Sequence, residues 1–218
     1  MAYKFTAANS QGLLTTLPNL TTGITICAFY KHTTIPSSNN YPARQTIIAR
    51  DASASGTINY LFQAGSTRLD FTWTSATNVF ASFVIPLTAN TNWRGVAFSH
   101  TWGSNVNTIA YVDGSKITLG AINTIAVQNM TADIQAIGTR LNNLEHFNGD
   151  IANTAIWNTH LSEGELKALS NGFAPEMIRP QSLVFYAPLV RNLQDIKGGF
   201  SITNNNGATV ANHSRIYA

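Results

Sequence analysis

Short segments in which apolar and polar residues alternate recur along the chain, and they restrict its fold more than any other feature. The clearest one is Arg68-Leu69-Asp70-Phe71-Thr72-Trp73-Thr74. Successive side chains of a β-strand point to opposite faces, so Leu69, Phe71 and Trp73 are predicted to share one face of a strand. Turn-forming residues separate these segments at short intervals, which is typical of a sandwich or barrel. We therefore predict an all-β protein, built as a sandwich or as a barrel.

Other segments of the same kind predict further strands. They lie at residues 24–30, 46–50, 59–63, 79–85, 95–100, 108–112, 116–119, 150–157 and 183–186. Between two of them, Asp113-Gly114 predicts a tight hairpin, because a type I′ turn needs positive φ angles that Asp-Gly tolerates. Asp113 is therefore interpreted as a turn former.

One short helix is predicted near residues 162–170. Ser162 and Glu165 have the spacing of a capping box, and Leu166 and Leu169 form a short apolar stripe. Glu163 and Glu165 fall in the first turn, where acidic groups stabilise the exposed backbone amides. This closely spaced acidic pair is thus explained by the helix.

Composition restricts the classes of partner. The chain has 218 residues, of which 11% are charged, and its 13 Lys and Arg are spread singly. Nucleic acid is not an expected partner, because tracking phosphates requires clustered cations. No apolar stretch approaches the roughly 20 residues needed to cross a bilayer, so membrane insertion is not expected. The first residues, from Met1 to Phe5, carry no signal-peptide pattern, which predicts synthesis in the cytoplasm.

The order of several motifs resembles a known family. The motifs are Gly23 to Lys31, Trp93 to Ser99, Ala110 to Gly114, Phe147 to Ile151 and Ala155 to Asn158. In this order, over roughly residues 3–172, the chain resembles the laminin-G-like, concanavalin A-like lectin/glucanase jelly roll. The resemblance implies an all-β, antiparallel two-sheet jelly-roll sandwich with a binding or structural role.

Residues 1–218 are predicted to form a single domain, with residues 173–218 as a C-terminal extension that packs back on it. The extension is similar to tails of laminin-G-like proteins of bacteriophages and prophages. That similarity implies a virion protein: a decoration, fibre or head-associated adhesion module made in the host cytoplasm and placed on the virion surface. Its partners would be other virion proteins and further copies of itself. The alternative is a free carbohydrate-binding lectin that recognises cell-surface or environmental glycans, with calcium as an optional ion.

Catalysis is not expected. Glycoside hydrolases of this fold use two carboxylates that flank the scissile bond. The chain has 10 acidic residues, and apart from the helical pair none has a partner at the needed spacing. The five histidines are isolated and predict no zinc site. A glycosidase of the same fold remains a third alternative, and no catalytic residue is assigned.

A sugar site combines an apolar or aromatic surface with a few placed polar groups. Trp102 and Tyr41 lie in segments predicted to be loops and could form such a platform at the rim of the sandwich. Trp73 could join them if its strand face turns outward, although core packing is favoured for it. Asp51 follows a predicted strand and is the best single candidate for a calcium ligand. No metal site is assigned, and calcium is left open.

Overall fold

Most of the regular secondary structure is β-strand in a computed structural model, which describes residues 2–38, 43–51, 58–74, 78–84, 92–102, 107–122, 134–140 and 145–213. In chain order the strands are β1 (Ala2–Phe5), β2 (Gly12–Thr16), β3 (Gly23–His32), β4 (Gln45–Asp51), β5 (Ile58–Ala64), β6 (Arg68–Thr74), β7 (Asn78–Val84), β8 (Arg94–Thr101), β9 (Ile109–Val112), β10 (Ser115–Lys116), β11 (Leu119–Ile122), β12 (Ile134–Ile137), β13 (Gly149–Trp157), β14 (Leu183–Ala187), β15 (Thr203–Asn205) and β16 (Thr209–Ala211). One helix, α1 (Glu163–Ser170), and two 3-10 turns, Ala7–Asn9 and Pro175–Met177, complete the described elements.

The strands form two eight-stranded antiparallel sheets. Sheet A has the order β10-β9-β8-β3-β13-β1-β16, and β14 also pairs with β13. Sheet B has the order β11-β7-β6-β5-β4-β12-β2-β15. Strands that are neighbours in space are often distant in sequence, such as β3 beside β13, as expected for a jelly roll. The predicted all-β, two-sheet jelly-roll sandwich is confirmed.

The inner faces of the two sheets enclose the main core. Phe71 of sheet B stacks on Phe98 of sheet A with ring centroids 3.9 Å apart, and Phe62 packs beside both. Leu69 and Phe71 are buried on this side, as the alternation in β6 predicts. The polar residues between them therefore lie on the outer face of sheet B.

Helix α1 covers part of the outer face of sheet A. Leu166 and Leu169 pack there in a second apolar cluster with Cys27 and Trp157, and all four are buried. The Trp157 Nε1 group donates a hydrogen bond of 2.8 Å to the Ile178 carbonyl, which satisfies the polar end of this large buried ring.

The predicted helix start is confirmed by its contacts. Ser162 and Glu165 form the capping box, in which the Ser162 N–H and hydroxyl both donate to Glu165 Oε2 at 2.7 Å. Glu165 Oε1 also accepts a 2.6 Å hydrogen bond from Arg179 Nε. The Glu163 carboxylate accepts hydrogen bonds from the Tyr111 hydroxyl and from Lys116 Nζ. Both glutamates therefore serve the helix and its attachment.

The predicted hairpin is confirmed at its turn. Asp113 and Gly114 have φ angles of 49° and 76°, and Ser115 pairs with Val112 across the β9–β10 hairpin. The strand predicted at residues 116–119 is wrong: β10 ends at Lys116 and β11 begins at Leu119. The intervening Ile117 N–H donates to the Ala110 carbonyl, so the chain leaves one sheet before it joins the other.

The segment after α1 adds strands to both sheets. β14 pairs with β13 and β16 with β1 in sheet A, whereas β15 pairs with β2 in sheet B. Asp195 holds the loop between these strands, because its buried carboxylate accepts hydrogen bonds from the N–H groups of Tyr186, Lys197, Gly198 and Phe200. Among the helices described, none is long and apolar enough to span a bilayer.

Candidate functional site

A row of polar residues crosses the outer face of sheet B. Thr46 on β4 pairs with Gln63 on β5, and Gln63 pairs with Asp70 on β6. Because Phe62 and Phe71 beside them point into the core, Gln63 and Asp70 share the opposite face. All three polar residues are nevertheless buried, with exposed fractions of 2% or less.

Charged side chains from three other places in the chain cover this row. We call the group the arginine–carboxylate cluster, and it consists of Arg44, Gln63, Arg68, Asp70, Arg140 and Glu145. Its most buried member is Glu145, whose side chain is 0% exposed. Glu145 Oε1 accepts a hydrogen bond from Arg44 Nε at 3.0 Å. Its Oε2 accepts from Arg140 Nη1 at 2.8 Å and from Gln63 Nε2 at 2.9 Å.

Arg44 lies between the two carboxylates of the cluster. Its Nη1 atom is 3.6 Å from Asp70 Oδ2, which also accepts a 2.9 Å hydrogen bond from Arg68 Nε. The side chain of Asp70 is 3% exposed, whereas those of Arg44 and Arg68 are 18% and 33% exposed. The carboxylates thus form the floor of the cluster, and these two guanidinium groups form its outer layer.

The backbone fixes Glu145 over the sheet. Its φ angle is 55°, in the left-handed region that non-glycine residues rarely adopt, and its carbonyl accepts a hydrogen bond from Thr46 N–H. The preceding turn is anchored at Gly138, whose N–H donates to Ile47 and whose carbonyl accepts from Phe147. A left-handed residue costs about 1–2 kcal/mol, and these contacts on both sides of the loop offset that cost.

An arrangement of this kind is suited to holding arginine side chains in place. Guanidinium groups bind planar anions through pairs of parallel N–H donors, and binding is tighter when the donors are already oriented. In the cluster, buried carboxylates orient the two guanidinium groups that are partly exposed. The cluster can therefore present fixed hydrogen-bond donors on the outer face of sheet B.

A groove lies on the same outer face, toward the other edge of the sheet. Its volume is about 450 Å3, and it runs between strands β2 and β12 and the C-terminal segment. Leu14 on its wall packs with Ala49 and Ala136, which are the outward-facing residues of β4 and β12. The lining combines apolar side chains with hydroxyl groups: Leu14, Thr15, Thr16, Ile134, Gly199, Phe200, Ser201 and Thr203.

Comparison with known proteins settles the family. The family model described as the concanavalin A-like lectin/glucanases superfamily matches residues 7–167. The chain belongs to this superfamily. The resemblance found in the sequence motifs is thereby confirmed for the family and its fold. No curated protein sequence matches the chain.

Several solved structures of the superfamily fold are similar to this chain. A proposed carbohydrate binding protein from Bacteroides ovatus matches with 17% identity and a TM-score of 0.63 over 100% of this chain. The chain spans 61% of the length of that protein. The heptameric SAP-like pentraxin of Limulus polyphemus matches with 17% identity and a TM-score of 0.60, over 96% of this chain and 90% of that one.

A third similar structure is the CBM40 module of the Ruminococcus gnavus IT-sialidase, solved with bound α2,3-sialyllactose. It shares 16% identity with a TM-score of 0.53, over 69% of this chain and 83% of that one. At these identities the likeness to all three proteins concerns the fold. It identifies the superfamily's sandwich and assigns no ligand to this chain.

Of the aromatic residues predicted to line a sugar site, Trp102 lies in the core. It follows β8 directly, is 7% exposed, and contacts the edge of the His100 ring at a centroid distance of 5.2 Å. The prediction of an exposed ring at the rim is therefore wrong for Trp102: its apolar surface is used in packing. Tyr41 lies outside the described residues.

The two remaining predicted site residues are placed by their backbone alone. Trp73 lies in β6, in register with Tyr60 and Val79 of the neighbouring strands. Asp51 is the last residue of β4 and pairs with Ile134. Their side chains are outside the described set, so both assignments remain predictions. Among the side chains that are described, no group of three or more His, Cys, Asp or Glu residues could hold a metal ion.

The buried histidines belong to the core. His100 is 0% exposed, and it hydrogen-bonds through Nδ1 to Thr108 Oγ1 at 2.8 Å. His32 stacks on Phe147 and hydrogen-bonds to Gln45. Burial disfavours the charged ring and lowers the pKa of each to about 4, so both are neutral at pH 7. Their packing explains their presence without a catalytic role.

The sequence did not single out Arg44, Arg140 or Glu145. The sequence offers Asp70 no second carboxylate, because no other acidic residue lies at the needed spacing from it. The structure supplies Glu145, which shares Arg44 with Asp70 although 75 positions separate them. One sequence signal could have pointed to the site. Gln63 and Asp70 alternate with core residues of predicted strands, and Asp70 is one of few acidic residues in the chain.

Proposed function

We propose that the chain is a non-catalytic carbohydrate-binding module that uses the outer face of sheet B. The observation that carries this proposal is the presence on that face of both the groove and the arginine–carboxylate cluster. Sugar sites combine apolar surface with a small number of oriented polar groups, and this face offers both. Membership of a lectin/glucanase superfamily supports the proposal, as does the fold shared with modules solved with bound glycan.

The absence of catalysis is part of the proposal. Hydrolysis by this class of enzyme needs one carboxyl group to protonate the leaving group and a second to attack or to activate water. In Glu145 both oxygens accept hydrogen bonds from basic or amide groups, and Asp70 is ion-paired with two arginines. Neither carboxylate is placed to transfer a proton, so the chain is expected to release no reducing sugar from glycans that it binds.

A glycan array tests the proposal directly. The full chain is applied to arrayed plant, microbial and animal glycans with and without EDTA, and each hit is measured by isothermal titration calorimetry. We expect saturable binding to at least one glycan class, with no new reducing ends after prolonged incubation. The chelator arm determines whether a calcium ion takes part. A chain that is folded but binds no glycan would contradict the proposal.

A pair of phenylalanine variants tests where the glycan binds. Phe200 lines the groove, whereas Phe173 is 49% exposed on the segment that follows α1. Phe200→Ala is expected to weaken glycan binding, and Phe173→Ala is expected to leave it unchanged. Because Phe200 also packs against the main core, the thermal unfolding midpoint of the Phe200→Ala variant is measured as well, to separate loss of binding from loss of stability. Loss of binding in Phe173→Ala alone would place the site elsewhere.

A second function is supported by the surface of the C-terminal segment. Among the described residues, the exposed large hydrophobic side chains all lie between positions 173 and 210: Phe173, Met177, Val190, Ile196 and Val210. Phe173 and Met177 lie four positions apart, and exposed apolar side chains grouped in this way are available to contact another protein. We propose that this segment attaches the chain to other copies or to other proteins of a bacteriophage virion, as a decoration, fibre or head-associated adhesion module on the particle surface.

Particle composition tests the second function. Mass spectrometry of virions purified from a host that encodes the chain should detect it, and detection only in the soluble lysate would contradict the proposal. In reconstitution, Phe173→Ser combined with Met177→Ser should lower incorporation, since both side chains are exposed on the proposed contact surface. Phe200→Ala provides the reciprocal control: it should affect glycan binding and leave incorporation intact.

A further inference from the structure

A second groove lies on sheet A, on the opposite side of the sandwich from the arginine–carboxylate cluster. Its volume is about 420 Å3, and it is bordered by strands β1, β3, β13 and β16. Sites for small ligands have volumes of roughly 300–1,000 Å3, so the groove is large enough to hold one. Polar residues make up most of its lining: Lys4, Lys31, Thr33, Asp150 and Asn212.

The floor of this groove is a row of three charged residues on neighbouring strands. Lys4 of β1 pairs with Asp150 of β13, and Asp150 pairs with Lys31 of β3. The residues next to them, Tyr3 and Ile151, point into the core between the sheets. Since successive side chains alternate, the three charged side chains lie on the outer face of sheet A. The carboxylate therefore has one lysine on each side.

Asp150 holds fewer partners than other buried carboxylates of the chain. Glu145 accepts three hydrogen bonds from side chains, and Asp195 accepts four from backbone N–H groups. The side chain of Asp150 is only 8% exposed, yet its one contact within the described part of the chain is the ion pair of Oδ2 with Lys31 Nζ at 2.8 Å. A carboxylate can accept about four hydrogen bonds. Asp150 therefore keeps acceptor positions for a ligand in the groove that it lines.

The two lysines supply donors in different ways. Lys31 is held between Asp150 and the ring of Trp93, whose centroid is 5.6 Å from Lys31 Nζ. Lys4 is exposed, and its ammonium group makes no ion pair or hydrogen bond within the described residues. The groove thus combines one fixed and one unpaired ammonium donor with a carboxylate acceptor between them.

This combination selects for a neutral ligand that carries hydroxyl groups. A simple anion in the groove would be repelled by Asp150, and a simple cation would be repelled by Lys4 and Lys31. A hydroxyl group both donates and accepts, so it can serve a carboxylate and an ammonium group together. Two adjacent hydroxyls on a sugar ring can donate to the carboxylate while their oxygens accept from the lysines.

We propose that this groove binds a neutral sugar unit through two adjacent hydroxyl groups, which donate to Asp150 and accept from Lys4 and Lys31. The inference goes beyond the proposed function, because that function uses the outer face of sheet B. The chain then carries two saccharide sites on opposite faces of the sandwich.

Nuclear magnetic resonance locates the binding without a variant. The 15N-labelled full chain is titrated with the methyl glycosides of glucose, galactose and mannose. We expect saturable shifts of the backbone amides of Lys4, Asp150 and Asn212 with at least one of them. Shifts confined to Phe200 and Ser201 would overturn the inference and support the proposed function. No shift at either groove would overturn the inference, and the glycan array would then decide the proposed function independently.

Matched ligands test the chemistry of the contact. For the glycoside that binds, removal of one of the two adjacent hydroxyls should weaken binding about tenfold or more, since a hydrogen bond to a charged group is lost. Affinity should be the same at about 50 mM and about 500 mM salt, because the ligand is uncharged. Binding that tolerates every single deoxy change, or binding of inorganic phosphate instead of the sugars, would overturn the assignment.

A matched pair of lysine variants tests the residues. Lys4→Met removes an exposed ammonium group that lines the groove, and Lys167→Met removes one that is exposed on α1 outside it. Lys4→Met should weaken sugar binding about tenfold, and Lys167→Met should leave it unchanged. Asp150→Asn should weaken it further, since one acceptor oxygen becomes a donor that faces the lysines. Wild-type affinity in both Lys4→Met and Asp150→Asn, with both variants folded, would overturn the inference.

Discussion

Replacing Glu145 by glutamine should destabilise the protein far more than the same change at an exposed glutamate. The side chain of Glu145 is 0% exposed and accepts hydrogen bonds from Arg44, Arg140 and Gln63. Glu145→Gln keeps the volume and the left-handed backbone, so packing and backbone strain cancel in the comparison. It removes the charge and turns one acceptor into an NH2 donor that faces other donors.

The expected loss is about 3 kcal/mol in the free energy of unfolding. Breaking a buried ion pair by removing one partner costs about 3–5 kcal/mol, because the remaining charge stays buried. The lower end applies here, since Arg44 keeps its contact with Asp70. Equilibrium urea unfolding measures the change. With a slope of about 3 kcal/mol per molar urea, the upper end of the usual range, the midpoint should fall by roughly 1 M.

Glu163→Gln is the matched control, because Glu163 pairs with Lys116 while about half of each side chain is exposed. Exposed ion pairs contribute little, so its midpoint should stay at the wild-type value. In the double variant Glu145→Gln with Arg140→Met, part of the lost stability should return, since the guanidinium that Glu145 neutralised is removed together with the carboxylate. Equal midpoints for Glu145→Gln and Glu163→Gln would refute this account of the cluster.

Three further changes test the fold around the site. Burial lowers the pKa of His32 and His100 to about 4, so below pH 6.5 the unfolded chain binds protons that the folded protein does not. The free energy of unfolding, measured by urea titration, should therefore fall from pH 6.5 toward pH 4. In a variant with both His32→Gln and His100→Gln it should fall less steeply with pH. Asp195→Asn should cost about 1–3 kcal/mol and speed protease cleavage between residues 196 and 200, because a carboxylate oxygen that accepts backbone N–H groups becomes a donor. Phe98→Ala should cost about 3–5 kcal/mol by opening a cavity between the sheets, while Phe173→Ala, at 49% exposure, should not change the thermal midpoint.

Much of the fold could be predicted because its signals are local. The alternation of apolar and polar residues in β6 predicts one buried face, and Leu69 and Phe71 are buried on that face in the structure. Asp113-Gly114 and the Ser162 capping box depend on backbone angles and spacings within a few residues, and both form as predicted. The prediction of a strand at residues 116–119 was wrong because it used the same local signal. The apolar pattern continues through Ile117, but whether the chain stays in one sheet is decided by tertiary pairing.

The candidate site could not be predicted because its members meet through sheet order. Arg44 and Glu145 are 101 positions apart, and they touch because β12 lies beside β4, while Gly138, just after β12, and Glu145 both hydrogen-bond to the β4 backbone. No spacing rule connects such positions. Trp102 lies in a turn after β8, as its loop assignment predicts, but the inter-sheet core extends past the end of the strand and buries its ring.

The cluster is better suited to holding side chains in place than to adding net stability. Replacing a buried ion network by apolar residues of similar volume is often neutral or stabilising, so such a network is an inefficient source of stability. This chain has an efficient source in the stacked Phe71 and Phe98 rings between its sheets. Of its 13 basic and 10 acidic residues, five nevertheless gather on one outward-facing patch, with a net positive charge. Its buried carboxylates fix partly exposed guanidinium groups on the sheet face that also carries the groove, so the network orders surface side chains where the phenylalanine core does not reach.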